Sequence, residues 1–298
     1  MLDYAALAAV SAVVREGSFE RAAERLGVTP SAVSQRVRAL EDRLGSVVIV
    51  RGQPCVATDL GRRLCAHVEQ VQLLEADLAP SLSLEGMADM PVTLKVAVNS
   101  DSMATWFPEA ATAFARATGH LLEFIIEDES LTADRLRTGE VLAAVSADPG
   151  TVQGCKTIGL GSLEYLACCS PDFAVRYFPD GITDQALNRA PCLRFERRDG
   201  LQARWAKEIH GIVLDAPVHW VPSSSGFLNF TVAGMAWGMQ PAALARPRIA
   251  GGLLVELSPD TPIAVQLYWT VTRLHASPLK ALTDAVRQAA RTSLLPFA

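Results

Sequence analysis

The sequence lacks several features that would assign it to common protein classes. No apolar run approaches the about 18 uncharged residues of a membrane-spanning helix. The N-terminus lacks the basic, apolar and small-residue order of a secretory signal. No GxGxxG, GxxxxGK[ST], GxSxG or HExxH motif occurs. We therefore expect a cytoplasmic protein that makes no contact with membranes and is not an enzyme.

Closely spaced metal ligands are also missing. Six cysteines are scattered without CxxC spacing, and the five histidines are equally dispersed. Without an export signal, reduced and buried thiols are the expected state, so we predict no disulfides, no metal site and no cofactor. The cysteines are Cys55, Cys65, Cys155, Cys168, Cys169 and Cys192.

What the sequence does contain is a pattern of two short helices joined by a turn between Ser18 and Leu44. Ser18 is a good N-cap for the first helix, and Gly27 ends it because glycine tolerates the left-handed conformation. Thr29 caps the second helix, and Pro30 occupies its first turn, where a missing amide hydrogen costs nothing. These signals predict a helix, a turn and a helix, preceded by another helix from Asp3 to Glu16.

The second helix has two chemically different faces. Val33, Val37, Leu40 and Leu44 form a buried stripe at helical spacing. Near the N-terminus, the opposite face carries hydroxyl, amide and guanidinium groups that can hydrogen-bond base edges and phosphates. The pattern predicts a helix-turn-helix with Pro30 to Leu44 as the recognition helix, although an ordinary helical hairpin is an alternative. The candidate DNA-binding residues are Ser18, Arg21, Thr29, Pro30, Ser31, Ser34, Gln35, Arg38 and Arg51.

These residues, SFERAAERLGVTPSAVSQRVRALEDRLG, resemble the DNA-binding signature of LysR-type transcriptional regulators, and the resemblance extends over essentially the whole chain. It implies a multidomain fold. An all-α winged helix-turn-helix DNA-binding domain and a long linker helix would precede an α/β two-lobed effector domain like a periplasmic binding protein. The resemblance also implies a homodimer or homotetramer, with double-stranded DNA as partner and RNA polymerase as a further candidate.

Charge and periodicity agree with an assembly of several copies. The first 58 residues hold seven arginines against six acids and no lysine, so their basic excess is slight, and the whole chain has a net charge of −5. Useful DNA affinity would then require two or more copies on one dyad operator. A short two-stranded wing with Arg51 at its tip comes next. The predicted helix after the wing carries a seam of mostly apolar residues that recur at helical spacing. This seam must pack against another surface, either a second copy or the chain's own domain. The seam residues are Leu60, Leu64, His67, Val71, Leu74 and Leu78.

Beyond residue 91, strands alternate with helices, which predicts two α/β lobes built on parallel sheets. The crossing of the chain between the lobes is implied only by the resemblance. The predicted domains are residues 1–58 (winged helix-turn-helix), 59–79 (dimerisation helix), 80–91 (linker), 92–162 with 267–298 (first lobe) and 163–266 (second lobe).

Polar side chains follow several of the predicted strands. In open parallel sheets, ligands bind beyond the carboxyl ends of the strands, next to the helices that follow. Hydroxyls and helix amides suit a carboxylate and acids suit a cation, so a basic amino acid fits, although ordinary caps and a solvated acidic turn explain the same residues. The candidate ligand-binding residues are Asn99, Ser100, Asp101, Ser102, Glu127, Asp128, Glu129, Ser146, Ser223 and Ser224.

Three segments resemble the arginine- and lysine-responsive branch of the family, the ArgP/LysG type: AVNSDSMATWF, IEDESLTADRLRTGEVLAAVS and WVPSSSGF. The resemblance implies that lysine or arginine is the effector and that the regulated genes serve the export or metabolism of basic amino acids. Two alternatives stay open at this point. They are a regulator with a different small-molecule effector and a sequence-tolerant architectural or origin-binding DNA protein.

Overall fold

The computed structural model describes residues 2–78, 91–126 and 129–297, so the predicted linker lies outside the described residues except for its last position. The N-terminal part is helical with one small hairpin. Its elements are α1 (Tyr4–Glu16), α2 (Phe19–Leu26), α3 (Pro30–Leu44), β1 (Ile49–Val50), β2 (Val56–Ala57) and α4 (Asp59–Leu78).

The predicted caps define the first three helices. Asp3 accepts hydrogen bonds from the amides of Ala5 and Ala6. Ser18 Oγ accepts from the amide of Arg21 at 3.1 Å, and Thr29 Oγ1 accepts from the amide of Ala32 at 3.2 Å. Gly27 ends α2 with a φ of 62°, a backbone conformation that favours glycine. The helix-turn-helix therefore follows from local sequence signals.

The buried face of α3 is the predicted one. Val33, Val37 and Leu40 are fully buried against α1 and α2, and Leu44 packs at the margin of the same core. Glu41 Oε1 accepts from the amide of Val48 at 2.8 Å, which joins α3 to the start of the wing. Burial of these side chains fixes which face of α3 points outward.

Helix α4 has two distinct apolar faces. Ala66, Val68 and Leu73 are buried within the chain, with Leu73 packed into the core of the α/β domain. The predicted seam lies elsewhere on the helix, and its members Leu74 and Leu78 are exposed in the single chain. The first seam residues, Leu60 and Leu64, pack against the core of the chain's own helix-turn-helix domain, so only the exposed end of the seam, Leu74 and Leu78, remains a predicted contact with a second copy.

The α/β part begins at residue 91. Its elements are β3 (Thr93–Val98), α5 (Ser100–Ala104), α6 (Phe107–Thr118), β4 (Leu121–Ile125), α7 (Glu129–Thr138), β5 (Ala143–Ser146), β6 (Cys155–Cys169), α8 (Pro171–Tyr177), α9 (Asp184–Arg189), β7 (Cys192–Arg194), α10 (Leu201–His210), β8 (Val218–Trp220), α11 (Ser224–Val232), β9 (Gly238–Pro241), α12 (Ala242–Ala250), β10 (Val255–Glu256), β11 (Ile263–Thr272) and α13 (Ser277–Ser293).

The main sheet has seven strands and is mixed, so the prediction of purely parallel sheets is wrong. The path runs β10-β6-β11-β5-β3-β4, and β9 pairs with β6. Only β4 and β5 pair in parallel with β3, whereas β11 returns from the second half of the chain and runs antiparallel to both β5 and β6. A separate parallel pair, β7 and β8, lies in the second half. The long strands β6 and β11 connect the two halves.

The six cysteines are free thiols, and all except Cys65 are buried, as predicted. Burial raises the pKa of Cys168 and of Cys169 to about 12. These thiols therefore stay protonated and act as small apolar groups in the core. Within the described ranges, no helix combines the length and apolar character that a membrane crossing requires.

Candidate functional site

The outward face of α3 presents the polar side chains that the sequence predicts there. Ser31, Gln35 and Arg38 are exposed, and Ser34 is half-buried beside them. These residues lie opposite the stripe of Val33 and Val37, so they are held in position by a packed core while their own polar groups face solvent. A rigid helix with exposed amide, hydroxyl and guanidinium groups is suited to the major groove of DNA.

The cap residues at the start of α2 and α3 lie beside this face. The hydroxyl oxygens of Ser18 and Thr29 accept backbone hydrogen bonds, which leaves their O–H hydrogens as donors toward a phosphate. Pro30 is the first residue of α3, and Arg21 is exposed on α2. The predicted residues of both helices therefore sit at helix starts or on exposed helix faces.

Arg51 follows strand β1 of the wing and is exposed. Its guanidinium carbon lies 5.1 Å from the centre of the Phe19 ring, at the start of α2. This cation–π contact orients the arginine, since the ring face attracts the positive charge. The wing arginine is thus held next to the helix-turn-helix.

A second candidate site is a cavity of about 700 Å³ between the two halves of the α/β part. The first half contributes the residues that follow β3 and β5, and the second half contributes the segments at the starts of α10 and α11. The size suits a small organic ligand such as an amino acid. Its polar lining residues include Asn99, Ser100, Asp101, Asp148, Tyr165, Glu196, Arg198, Asp199, Gln202, Ser224 and Gln240.

The half-buried carboxylate of Asp101 connects the two halves at one wall of this cavity. Tyr165 donates its hydroxyl hydrogen to Asp101 Oδ2 at 2.7 Å, and Ser224 donates to Oδ1 at 2.7 Å. The hydroxyls of Ser100 and Ser224 are also 2.7 Å apart. Residues from α5, β6 and α11 therefore meet at one carboxylate.

The electrostatic character of the cavity is acidic. Among the described lining residues, four side chains are carboxylic acids and one, Arg198, carries a guanidinium. Burial raises the pKa of the Asp101 carboxyl, the hydrogen bonds from Ser224 and Tyr165 lower it, and the charge of Asp199 raises it further. A cation in this cavity would offset the repulsion between carboxylates, and the positive charge of Arg198 suits an anionic group. The carboxylates are Asp101, Asp148, Glu196 and Asp199.

Asp199 is held in a fixed orientation. Its Oδ2 accepts from the amide of Phe195 at 2.8 Å and from Gln202 Nε2 at 3.2 Å, and its Oδ1 accepts from the amide of Leu201 at 3.1 Å. These bonds lock the loop between β7 and α10 against the first turn of α10. The acidic wall in the second half is therefore preorganised.

The structure brings together some of the predicted ligand-binding residues. Asn99, Ser100, Asp101 and Ser224 line the cavity. Glu127 and Asp128 lie outside the described residues, and Glu129 is the first residue of α7.

Three other predicted residues are placed away from the cavity lining. The hydroxyl of Ser102 is buried and accepts from Trp106 Nε1 at 3.0 Å. The hydroxyl of Ser146 donates to the carbonyl oxygen of Asp148 at 3.2 Å, and Ser223 is the N-cap of α11. Ser223 therefore acts as a helix cap, whereas the hydroxyls of Ser102 and Ser146 are bonded to the Trp106 side chain and to the backbone at Asp148.

Sequence reasoning missed several lining residues. Tyr165 lies in the long strand β6 far along the chain from Asp101, and no local signal indicates that they meet. Asp199 could have been predicted from the sequence, because an Asp-Gly pair directly before an amphipathic helix indicates a helix N-terminus. Asp148 follows β5 by the same rule that identified Asn99 after β3. The missed residues Asp148, Tyr165, Glu196, Arg198 and Asp199 complete the cavity wall.

Comparisons with known proteins agree with this architecture. Residues 4–62 match the family described as bacterial regulatory helix-turn-helix protein, lysR family, and residues 88–291 match the LysR substrate binding domain. The chain is 42% identical over 300 residues to the HTH-type transcriptional regulator ArgP of Pseudomonas fluorescens (strain Pf0-1), covering 100% of both chains.

Two solved structures are similar over the full length. The ArgP crystal structure from Mycobacterium tuberculosis gives a TM-score of 0.81 at 39% identity, with 100% of each chain covered. Full-length LysG from Corynebacterium glutamicum, a structure with bound effector Arg, gives a TM-score of 0.70 at 36% identity and covers 99% of this chain and 100% of that one. With the exposed recognition helix and the two-lobed α/β part, these matches show that the chain belongs to the lysR family of bacterial helix-turn-helix transcriptional regulators.

Proposed function

We propose that this regulator binds a basic amino acid, lysine or arginine, in the cavity between the two lobes and binds a dyad operator through α3. The observation that carries the effector assignment is the acidic cavity in which Asp101 and Asp199 face a shared space. An amino acid with a cationic side chain offsets that negative charge. Its α-carboxylate has Arg198 and the hydroxyls at the cavity wall as partners.

The comparison with LysG supports the same class of ligand, because that relative holds arginine as its effector. The proposed ligand contacts are Asn99, Ser100, Asp101 and Ser224 together with Asp199 and Arg198. The predicted acids Glu127, Asp128 and Glu129 remain candidates for the same role. The predicted control of export or metabolism genes for basic amino acids follows from this effector.

On the DNA side, the proposed contacts are the exposed residues of α3, the caps of α2 and α3, and Arg51. One copy presents few positive charges in excess of its acids, so a dimer or tetramer on two half-sites supplies the affinity. The exposed end of the α4 seam, with Leu74 and Leu78, is the proposed contact between copies. RNA polymerase remains a predicted partner, and the cytoplasm, where chromosomal DNA lies, remains the predicted location.

The proposed mechanism is a shift between two assemblies. Ligand binding stabilises the closed arrangement of the lobes, in which Asp101 of one lobe is bonded to Ser224 of the other. Closure changes the relative placement of DNA-binding domains within the oligomer. The ligand acts through its different affinity for the two arrangements, and the size of that difference limits the response.

Calorimetric titration of the full chain tests the effector. We expect arginine or lysine to release heat with one site per chain, and glutamate and leucine to give none because they lack a cationic side chain. Absence of heat with both basic amino acids, together with an unchanged melting temperature, would refute the effector assignment. A neutral metabolite that binds instead would identify a different effector class.

Footprinting tests the DNA partner. A regulator protects one dyad-symmetric site upstream of a divergent gene, whereas an architectural protein covers DNA uniformly. A bend angle that changes with lysine or arginine supports the proposed mechanism. Identical bend angles with and without either amino acid would contradict it.

A further inference from the structure

Helix α4 makes a set of polar contacts with the α/β domain of its own chain that lies apart from the exposed seam. Lys95 Nζ of β3 is 2.7 Å from Glu69 Oε1, and both side chains are about one-quarter exposed. The backbone amide of Ser277, at the start of α13, donates to Asp77 Oδ1 at 2.9 Å, and hydrogen bonds from the side chain and then the amide of Ser277 lower the pKa of Asp77. Leu73, between these two acids, is buried in the α/β core.

A third contact lies nearer the DNA-binding domain. Arg62 Nε is 3.4 Å from Glu140 Oε1, and Arg135 Nη1 is 3.1 Å from Glu140 Oε2. Gly139 adopts a φ of 77° beside Gln70, where a Cβ atom would lie 2.3 Å from Gln70 Nε2. The turn between α7 and β5 therefore approaches α4 closely. Three separate segments of the first lobe therefore contact α4 along its length, and Leu73 of α4 packs into the core of the same domain.

Two of these contacts lie on, or just before, strands that also reach the cavity. Strand β3 carries Lys95 near its start and leads directly into Asn99 and Asp101 at its carboxyl end. Strand β5 follows Glu140 and ends beside Asp148. The two strands are paired in parallel and span about 20 Å or less. Each one connects a cavity wall to a contact with α4 through a hydrogen-bonded sheet.

We propose that the face of α4 formed by Arg62, Glu69, Leu73 and Asp77 is an intramolecular docking surface for the first lobe, and that the Lys95 and Glu140 contacts transmit the state of the cavity to the DNA-binding domain. The transmission part rests on the proposed function. Ligand binding shifts the ends of β3 and β5, and the sheet moves the opposite ends with them because a packed sheet moves as a unit. The ion pairs carry that displacement to α4, which is continuous with the wing.

Charge-removing variants of the full chain test this route. Lys95→Met breaks the pair with Glu69, and its matched control is Lys280→Met, which breaks an exposed pair with Asp284 at the same distance of 2.7 Å. Glu140→Gln has the control Glu208→Gln, since Glu208 pairs with Arg204 on the surface of α10. Arginine affinity is measured by calorimetry and operator affinity by fluorescence anisotropy, with and without arginine.

We expect Lys95→Met and Glu140→Gln to keep arginine affinity within about threefold of wild type, because neither residue lines the cavity. The ratio of operator affinities with and without arginine should fall from the roughly 5- to 150-fold of typical coupling toward one. Both controls should keep the wild-type ratio. The double variant Glu69→Gln/Lys95→Met should lose no more coupling than Lys95→Met alone, since both remove the same pair.

A wild-type ratio in Lys95→Met and Glu140→Gln overturns the transmission route, as does a wild-type chain that binds arginine with no change in operator affinity. A wild-type chain that binds neither basic amino acid instead refutes the proposed function. The docking surface is then tested without ligand by zero-length carbodiimide cross-linking. A Lys95–Glu69 linked peptide supports it, and its absence, when the Lys280–Asp284 pair is linked, overturns it.

Discussion

The two candidate surfaces of this regulator are built in opposite ways. The DNA-facing surface comes from one continuous segment, in which caps and a buried stripe fix the helices and the polar face of α3 remains directed toward solvent. The cavity is assembled from distant segments, and Tyr165 and Ser224 both donate hydrogen bonds to Asp101. Changes on α3 should therefore affect binding alone, whereas changes in the cavity should affect both binding and the stability of the closed lobes.

The largest expected effect is a loss of operator affinity that leaves the stability of the fold unchanged. Arg38→Ala removes an exposed guanidinium from α3, and each lost base contact weakens binding by about 1–3 kcal/mol, in two copies per dimer. We expect operator affinity to fall at least about 10-fold by anisotropy, with an unchanged melting temperature. Arg116→Ala, at an exposed position of α6, is the matched control and should change neither quantity. A lower melting temperature in Arg38→Ala would show that this face has a structural role.

Asp101→Asn is the corresponding change in the cavity. Loss of the half-buried negative charge should weaken arginine binding by about 1.5–3 kcal/mol, which is roughly 10- to 100-fold in the dissociation constant measured by calorimetry. Operator binding without ligand should be retained, because the residue is far from α3 in the fold. Asp180→Asn, an exposed change in the second half of the chain, is the control. Unchanged arginine affinity in Asp101→Asn would remove this carboxylate from the ligand site.

The pH dependence of arginine binding gives a second test of the role of Asp101 in the cavity. Because burial raises the pKa of Asp101 above its ordinary value of 3.8, the native state without ligand binds this proton more tightly than the unfolded chain does. The contribution of Asp101 to the free energy of unfolding therefore falls as the pH rises through the raised pKa. A cationic ligand favours the ionised carboxylate, so arginine affinity should fall as pH is lowered through the same range.

Calorimetry between neutral and mildly acidic pH tests this expectation. The wild-type chain should lose affinity more steeply than Asp101→Asn, in which that titration is absent. Parallel slopes for the two proteins would show that another group controls the dependence.

The smallest expected effects come from removing the N-cap side chains of two helices. Thr29→Ala removes the N-cap of α3, and Ser223→Ala removes that of α11 at the edge of the cavity. Each should lower the free energy of unfolding by about 1 kcal/mol in denaturant titrations. Operator affinity should fall only for Thr29→Ala and arginine affinity only for Ser223→Ala. Equal losses of both affinities in both variants would indicate that the two surfaces are not independent.

The difference in construction also explains what the sequence could predict. Residues 3–45 form helices whose caps and glycine stops lie within a few positions of the groups they satisfy, so their ends were predictable to the residue. Strand β6 is harder to predict than these helices. Its first half contains Lys156, Thr157 and two glycines in place of an apolar run, and only the long pairing with β11 makes it a strand.

The cavity was predictable only where strand ends lie next to polar residues. Asn99 to Asp101 follow β3 directly and were found on that basis. Tyr165 points to Asp101 from the middle of a crossing strand, and its role depends on tertiary pairing that periodicity does not encode. The two faces of α4 show the same limit, since the spacing of Leu60 and Leu64 marks one apolar stripe while Leu73 packs against the α/β domain on another.

The central claim is that a basic amino acid bound in the acidic cavity changes the affinity of the exposed recognition helix for operator DNA. The most direct measurement is an anisotropy titration of operator DNA with the full chain, with and without saturating arginine, repeated with Asp101→Asn. We expect arginine to shift the midpoint for the wild-type chain and to leave that of Asp101→Asn in place. Coincident wild-type curves, or an equal shift in the variant, would contradict the account.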